Sequence, residues 1–259
     1  MPDRRPLRVV HTSDVHLGAY SGIRDGHASE RHSLMEAAFM GVIDLANREH
    51  ADVLLIVGDL FDNDRVPDSV VHFAAAQIAR FEGRTFLIPG NHDPMDPGKI
   101  YWRHDMEALA PRLTILREHA GQVVEAPELD LVIWGRAYRD SDWHFRPLAG
   151  LPGRQDHRWH IAMAHGHFVT TGGDMSRSLL MHESEIAAAA GNWDYLAFGH
   201  WEPHADVSTA GAIAVYSGAP MPLVDANTRA GWAAVVDFDA AGVRWRLHRV
   251  DPRPVKDAP

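Results

Sequence analysis

Five apolar, strand-like runs each end in a short cluster of acidic, amide or imidazole residues. This pairing of run and cluster narrows the possible folds more than any other feature of the chain. The runs are residues 7–11, 53–57, 85–88, 161–164 and 195–198. The clusters behind them are Asp14-Val15-His16, Gly58-Asp59, Gly90-Asn91-His92-Asp93, His165-Gly166-His167 and Gly199-His200-Trp201-Glu202. A parallel sheet gathers such strand ends on one rim, where α/β proteins place their sites. Oxygen donors mixed with imidazole nitrogen suit divalent transition ions such as manganese, iron or zinc.

The spacing between runs predicts the architecture. Residues 30–48 and 67–81 carry apolar side chains at helical spacing, and a shorter helix is expected at 102–109. With the strands at 7–11, 53–57 and 85–88 this is a βαβαβ pattern, which implies parallel neighbours and right-handed crossovers. The second half has shorter connections, with strands expected at 113–116, 122–125, 129–134 and 159–164 and a helix near 183–190. Strands resume at 195–198, 213–216, 232–238 and 243–250, the last two joined as a hairpin by Asp239-Ala240-Ala241-Gly242. The expected fold is α/β, a four-layer α-β-β-α sandwich of two stacked mixed β-sheets flanked by helices. No stretch reads as a linker, a repeat or a low-complexity tract.

Composition limits the functional classes. The chain has 259 residues, long enough for a large core. No apolar run approaches the ~20 residues that a membrane span needs. The start, Met1-Pro2-Asp3-Arg4-Arg5-Pro6, has no apolar segment behind its arginines and does not read as a secretory signal. There are no cysteines, which excludes disulfides and thiolate metal sites, and cytoplasm is the default compartment. A formal net charge of −10 argues against a broadly basic, nucleic-acid-coating surface. It leaves a nuclease open, because two divalent ions add about four positive charges at the site itself. Most of the 18 histidines stand alone in polar or helical stretches and read as ordinary solvated or core residues.

Two ions side by side need one ligand that spans them and several that serve one each. Asp59 is the natural bridge, and Gly58 before it permits a tight strand exit. Asp14 and His16 alternate, so on extended chain they face the same side. Asn91 offers a neutral amide oxygen. In the fourth cluster His165 follows its strand immediately and is preferred to His167. Asp59 with Asp62 and Asp64 also reads as a solvated acidic loop.

Taken in order, the clusters resemble the calcineurin-like metallophosphoesterase superfamily, whose pattern runs D-x-H, G-D, G-N-H-D/E, a lone His and G-H-x-H. Finer features resemble its SbcD-type DNA-repair nuclease branch: His11-Thr12-Ser13-Asp14-Val15-His16-Leu17-Gly18, Gly58-Asp59-Leu60-Phe61-Asp62 and Tyr216-Ser217-Gly218-Ala219-Pro220. The resemblance implies that Asp14 and His16 hold one ion, Asn91, His165 and His200 the other, and Asp59 both. It implies that His92 contacts phosphate and assists the leaving oxygen, with Asp93 orienting His92. The last motif ends in Glu202 where the family usually has histidine. Glu202, rather than His204, is expected to take that place on the first ion. The resemblance also implies a cofactor of two divalent ions, manganese first, with iron or zinc as alternatives. The expected activity is phosphodiester hydrolysis by a metal-bridging hydroxide on a nuclease-like substrate such as DNA.

A small phosphate ester is the alternative substrate, and a non-catalytic scaffold is disfavoured because Asp59 and His92 are both present. Residues 1–259 read as a single catalytic domain without a separate capping domain. The segment by which such nucleases bind an ATPase partner does not fit, so neither that partner nor a membrane is expected. The loop Thr170-Thr171-Gly172-Gly173-Asp174 and the arginines Arg136, Arg139 and Arg177 are expected beside the metals, where guanidinium groups suit phosphate.

Overall fold

The first apolar run forms a strand that stops where the chain turns polar, and this sets the plan of the molecule. A computed structural model describes residues 4–20, 26–170, 172–173, 176–223 and 229–250. Strand β1 (Leu7–Thr12) is followed by helix α1 (Gly26–Arg48), β2 (Val53–Val57), α2 (Asp68–Ala79) and β3 (Arg84–Ile88). Two short helices, α3 (Ile100–Arg103) and α4 (Met106–Leu109), then lead to β4 (Leu113–Ile115). Strands β1 to β4 are parallel to one another. The chain's last two strands, β13 (Trp232–Asp239) and β14 (Gly242–Arg249), form the expected hairpin and join antiparallel beside β1. The first sheet therefore runs β14-β13-β1-β2-β3-β4.

The second sheet is built from the middle of the chain. It comprises β5 (Gln122–Ala126), β6 (Leu131–Gly135), β7 (Trp159–His165), β10 (Tyr195–Gly199), β11 (Ala205–Asp206) and β12 (Ala214–Tyr216). Its order is β11-β12-β10-β7-β6-β5, parallel through the centre and antiparallel at both edges. Between β7 and β10 lie a small pair, β8 (His167–Val169) with β9 (Leu180–His182), and helix α5 (Glu183–Ala189).

Strand periodicity sends alternate side chains to two different cores. Val9, Leu55, Val57, Phe86 and Ile88 face Ile133, Ile161, Met163, Tyr195 and Val215 between the sheets. Val10, Leu54, Ile56 and Leu87 face the other way, under Phe39, Val42 and Ile43 of α1 and Val71, Ala74 and Ile78 of α2. Ala162, Ala164, Leu196 and Phe198 lie outside the second sheet, under Ile186 and Ala189 of α5 and Trp193. The arrangement is the expected four-layer α-β-β-α sandwich. Among the described residues, no helix is long and apolar enough to cross a membrane.

The single helix expected at 102–109 is two. His104 is extended (φ −124°, ψ 124°), and the Asp105 carboxylate accepts from Ala108 N at 3.0 Å, starting a second helix. That N-cap competes locally with helix continuation. Strands β8, β9 and β11 were not expected, since two or three residues carry too little alternation to read.

Ile161 is fully buried at the centre of the intersheet core, opposite Tyr195 and Ile133 in the strand register. Ile161→Ala is expected to cost about 2–5 kcal/mol of stability, a transfer loss plus a cavity that flanking strands cannot close. Chemical denaturation would measure it.

Candidate metal centre

Each cluster reaches the site because a parallel strand delivers it. The exits of β1 and β2 run on together as a continued ladder: Asp14 N donates to Gly58 O, His16 N to Asp59 O, Leu17 N to Leu60 O and Asp62 N back to Leu17 O, all at 2.9–3.1 Å. The second sheet closes on this rim. His200 N donates to the carboxylate of Asp14 at 2.9 Å, and the His165 ring bonds to Val57 O.

The backbone here departs from the extended path assumed from sequence. Asp14, His16 and Asp59 have φ values of 54°, 51° and 52°, and His200 has 101°. Left-handed backbone at a non-glycine residue costs on the order of 1–3 kcal/mol and persists only where the surroundings enforce it. The ladder just described enforces it. Asp14 and His16 are therefore brought to the rim through left-handed bends at both residues and not through strand alternation. The same bend at His200 breaks the parity by which Glu202 would have faced the site.

The structure brings together two groups of side chains whose ligand atoms lie within 4.8 Å of one another, and Asp59 belongs to both. One is His16, Asp59 and His92; the other is Asp59, His165 and His200. Asn91 joins the second: its Oδ1 is 3.1 Å from His165 Nε2 and 2.9 Å from His200 Nδ1. Asp14 stands beside them, both its oxygens accepting from His200 N.

Several observations show that these residues fit a cation. A carbonyl can only accept, so His165 Nδ1–H donates to Val57 O at 2.9 Å and leaves Nε2 as the ring's donor atom toward Asp59 and Asn91. Among the described residues the nearest polar group to the buried His16 Nδ1 is Asp62 Oδ1, at a long 3.5 Å. A Cβ on Gly90 would come within 2.2 Å of Asp59 Oδ1, so only glycine leaves room for that carboxylate.

Electrostatics point the same way. Burial pushes the Asp59 carboxyl up, but the charges of His165 and His16 and the bond to His165 outweigh it and hold it below the usual range. Burial pulls His165 down, yet the Asp59 charge and hydrogen bond raise it to about 9. His200 is lowered to about 3 by burial and by the neighbouring His165. The protonated His165 ring supplies positive charge beside Asp59, where a bound ion would supply more.

Other residues expected at the site stand elsewhere. The Asp93 carboxylate does not reach back to orient His92. Fully buried, it accepts from Gly90 N at 2.8 Å, Asp59 N at 3.2 Å, Phe61 N at 3.1 Å and the Tyr101 hydroxyl at 2.7 Å. It ties the Asp59 loop to the Gly90 loop, and burial with the Asp59 charge raises it to about 6. His92 is oriented by Asp62, whose carbonyl accepts its Nδ1–H at 2.7 Å. The main-chain carbonyl of Asp62 and the Tyr101 hydroxyl that bonds Asp93 are contacts around the site that sequence reasoning missed. Asp62 was visible in Gly58-Asp59-Leu60-Phe61-Asp62 but looked solvated, and Tyr101 carried no signal.

Glu202 Oε2 accepts from Leu223 N at 3.3 Å, and His204 Nδ1 bonds to Arg229 O. Neither belongs to either group. Arg136 donates from Nε to His119 O and from Nη1 to Arg146 O. Thr171 and Asp174 lie outside the described residues.

Comparison with known proteins gives the family and the fold. The family model described as calcineurin-like phosphoesterase matches residues 7–202. The metallophosphoesterase YhaO of Bacillus subtilis (strain 168) is 25% identical over 221 residues, 82% of this chain and 52% of that protein. The DNA double-strand break repair protein Mre11 of Saccharolobus solfataricus is 33% identical over 90 residues, 34% of this chain and 23% of that one. The chain thus spans about half the length of the first relative, and its match to the second covers a smaller share. The structure of TT1561 of Thermus thermophilus superposes with a TM-score of 0.58 at 12% identity, covering 95% of this chain and 100% of that one, and shares the fold.

Gly90→Ala should displace the Asp59 carboxylate and weaken ion binding at both groups together, while the far-ultraviolet circular dichroism stays that of the parent. Loss at only one group would show that Asp59 is not shared. Ion binding at His165 must also displace its proton. Below pH ~9 the apparent affinity should therefore rise with pH by up to tenfold per unit, levelling off above it. Calorimetry in buffers of different ionisation enthalpy would count the released proton, and a pH-independent affinity would remove His165 from the ligand set.

Proposed function

The chain belongs to the calcineurin-like phosphoesterase family, and from that premise we propose that it is a two-metal phosphodiesterase with a nuclease-like substrate, acting as a single catalytic domain. The observation that carries this reading is the pair of ligand groups joined through buried Asp59. Asp14, His16 and Asp59 are assigned to one ion; Asp59, Asn91, His165 and His200 to the other. Carboxylate, amide and imidazole donors without thiolate favour manganese, with iron or zinc next. Two bound ions would supply an activated water and neutralise phosphate charge.

The protein's own residues do the rest. Asp59 is held by its N–H on Asp93, and its Oδ1 accepts from His92 N at 2.8 Å, so the carboxylate and the His92 backbone are tied together. His92 is exposed at the rim, and its ring packs edge-on against His16 with centroids 4.6 Å apart. With Nδ1–H committed to the Asp62 carbonyl, the imidazolium form can present Nε2–H to the leaving oxygen. His92 is close enough to His16 and Asp59 to serve as a ligand instead. Its exposure and its carbonyl partner favour the substrate role.

Likeness to a protein named for DNA double-strand break repair supports a nucleic-acid phosphodiester. A second reading, a small phosphate ester, is supported by the net charge of −10 and by the acidic residues Asp62 and Asp64 of the loop that holds His92. Polyanionic DNA would meet repulsion on that flank.

Manganese-loaded protein should hydrolyse single- or double-stranded DNA as well as aryl phosphodiesters. Turnover of aryl monoesters or cyclic nucleotides with DNA untouched would replace the nuclease reading by the small-ester one. His92→Ala should keep both ions and lose ~10²–10⁴ in kcat, less for an ester with a good leaving group. Loss of an ion from that variant would make His92 a ligand.

A further inference from the structure

The chain has five tyrosines, and four of them commit their hydroxyl inside the protein. Tyr20 donates to Leu223 O at 2.8 Å, Tyr101 to the Asp93 carboxylate at 2.7 Å and Tyr216 to Gly166 O at 2.7 Å, while Tyr195 shares a bond of 3.0 Å with His11 Nδ1. Tyr138 differs. It is only partly buried, and among the described residues its hydroxyl has no hydrogen-bond partner.

The fold puts this residue at the rim. Strand β6 lies parallel to β7, with Gly135 paired to Met163, so the chain leaves β6 on the side to which β7 delivers His165. Tyr138 follows in that exit, which is fastened to the loop after His92. Met95 N donates to Tyr138 O at 2.8 Å, and Asp140 N donates to the Asp96 carboxylate at 2.6 Å. Lys99 adds ion pairs to Asp140 at 3.4 Å and to Asp64 at 3.0 Å, tying the same exit to the loop whose Asp62 carbonyl orients His92.

The ring is placed by packing rather than by its hydroxyl. It meets the buried Phe145 at 80°, centroids 5.5 Å apart, and Phe145 in turn stacks on His119. Burial, and then the charges of Asp140, Asp96, Asp142 and Asp59, push the Tyr138 hydroxyl up from its ordinary value, so it keeps its proton. Asp59 among those charges sets the hydroxyl within electrostatic reach of the carboxylate that both ligand groups share. The result is a neutral donor held beside the site with no acceptor in the protein, and a phosphate oxygen is an acceptor of the right kind.

Resting on the phosphoesterase reading above, we propose that Tyr138 is a substrate-contacting residue whose hydroxyl donates to a phosphate oxygen on the His92 flank of the metal centre. His92 serves the leaving oxygen, and Tyr138 serves an oxygen that stays on phosphorus. No proton is transferred by Tyr138, so it contributes binding and orientation.

The test uses manganese-loaded protein with inorganic phosphate as the probe, read by calorimetry, alongside kcat and KM on an aryl phosphodiester. Tyr138→Phe keeps the ring against Phe145 and removes only the hydroxyl. It should retain two ions and the parent's melting temperature and weaken phosphate binding about tenfold to a hundredfold, as expected for one donor to a charged oxygen. The same loss should appear in a His92→Ala background, because the contact is made to phosphate and not through His92.

Unchanged phosphate affinity in Tyr138→Phe would overturn the proposal, as would loss of an ion from that variant or no phosphate binding by the parent. Disappearance of the effect in the His92→Ala background would also overturn it, leaving Tyr138 to act by placing His92. If phosphate binds as expected but no ester is turned over, the phosphodiesterase reading falls while the Tyr138 contact stands. If esters are turned over and Tyr138→Phe binds phosphate like the parent, the contact falls and that reading stands.

Discussion

The carboxylate of Asp59 is taken almost wholly out of water, and the rest of the rim is arranged to make that tolerable. An uncompensated buried carboxylate would cost several kcal/mol. Here one oxygen accepts from His92 N and the other faces His165 Nε2 at 3.2 Å, while imidazoles crowd around both. The concentration of histidine at this point is thus an electrostatic requirement of the buried anion as well as a supply of ligands. Remove the anion and His165, raised to about 9, would lose the partner that holds its charge.

Parallel strands explain why these residues meet at all. Strands β1, β2 and β3 in one sheet and β7 and β10 in the other end on a common rim, so residues far apart in sequence arrive within hydrogen-bond reach. The intersheet core, with Val57 and Ile88 on one side and Met163 and Ala197 on the other, sets the distance between the two rims. His165 Nδ1 on Val57 O is the first polar contact past that core. Packing beneath the site and geometry within it are therefore the same constraint seen at two depths.

The sequence made the layers and most strands legible because contiguous apolar runs bounded by glycine and carboxylates have few other solutions. It brought Asp14, His16, Asp59, Asn91, His92, His165 and His200 to one rim for the same reason, since strand ends are where the runs stop, but it did not show the grouping of His92 with His16 and Asp59. What it hid was local and long-range. Left-handed backbone at Asp14, His16, Asp59 and His200 follows from hydrogen bonds between two loops and leaves no mark in either loop alone. Arguments from strand parity therefore reached the right neighbourhood at Asp14 and His16 for the wrong reason, and failed to anticipate the Leu223 contact of Glu202. Asp93 looked like a partner for its neighbour His92. Its actual partners include residues 34 and 32 positions earlier, which periodicity cannot see.

The ladder that carries β1 and β2 past their ends has a consequence for how the site exchanges its contents. A site on free loops would have to order those loops each time a ligand arrived, at about 1–2 kcal/mol of backbone entropy per residue. Here the amides of Asp14, His16 and Leu17 are bonded to the neighbouring exit as strand amides would be, and Leu17 and Phe61 form a parallel bridge. The clusters are thus an extension of the sheet in all but name. A ligand arriving at this rim would meet a frame whose amides are already bonded, so ordering of these segments would add little to the cost of binding.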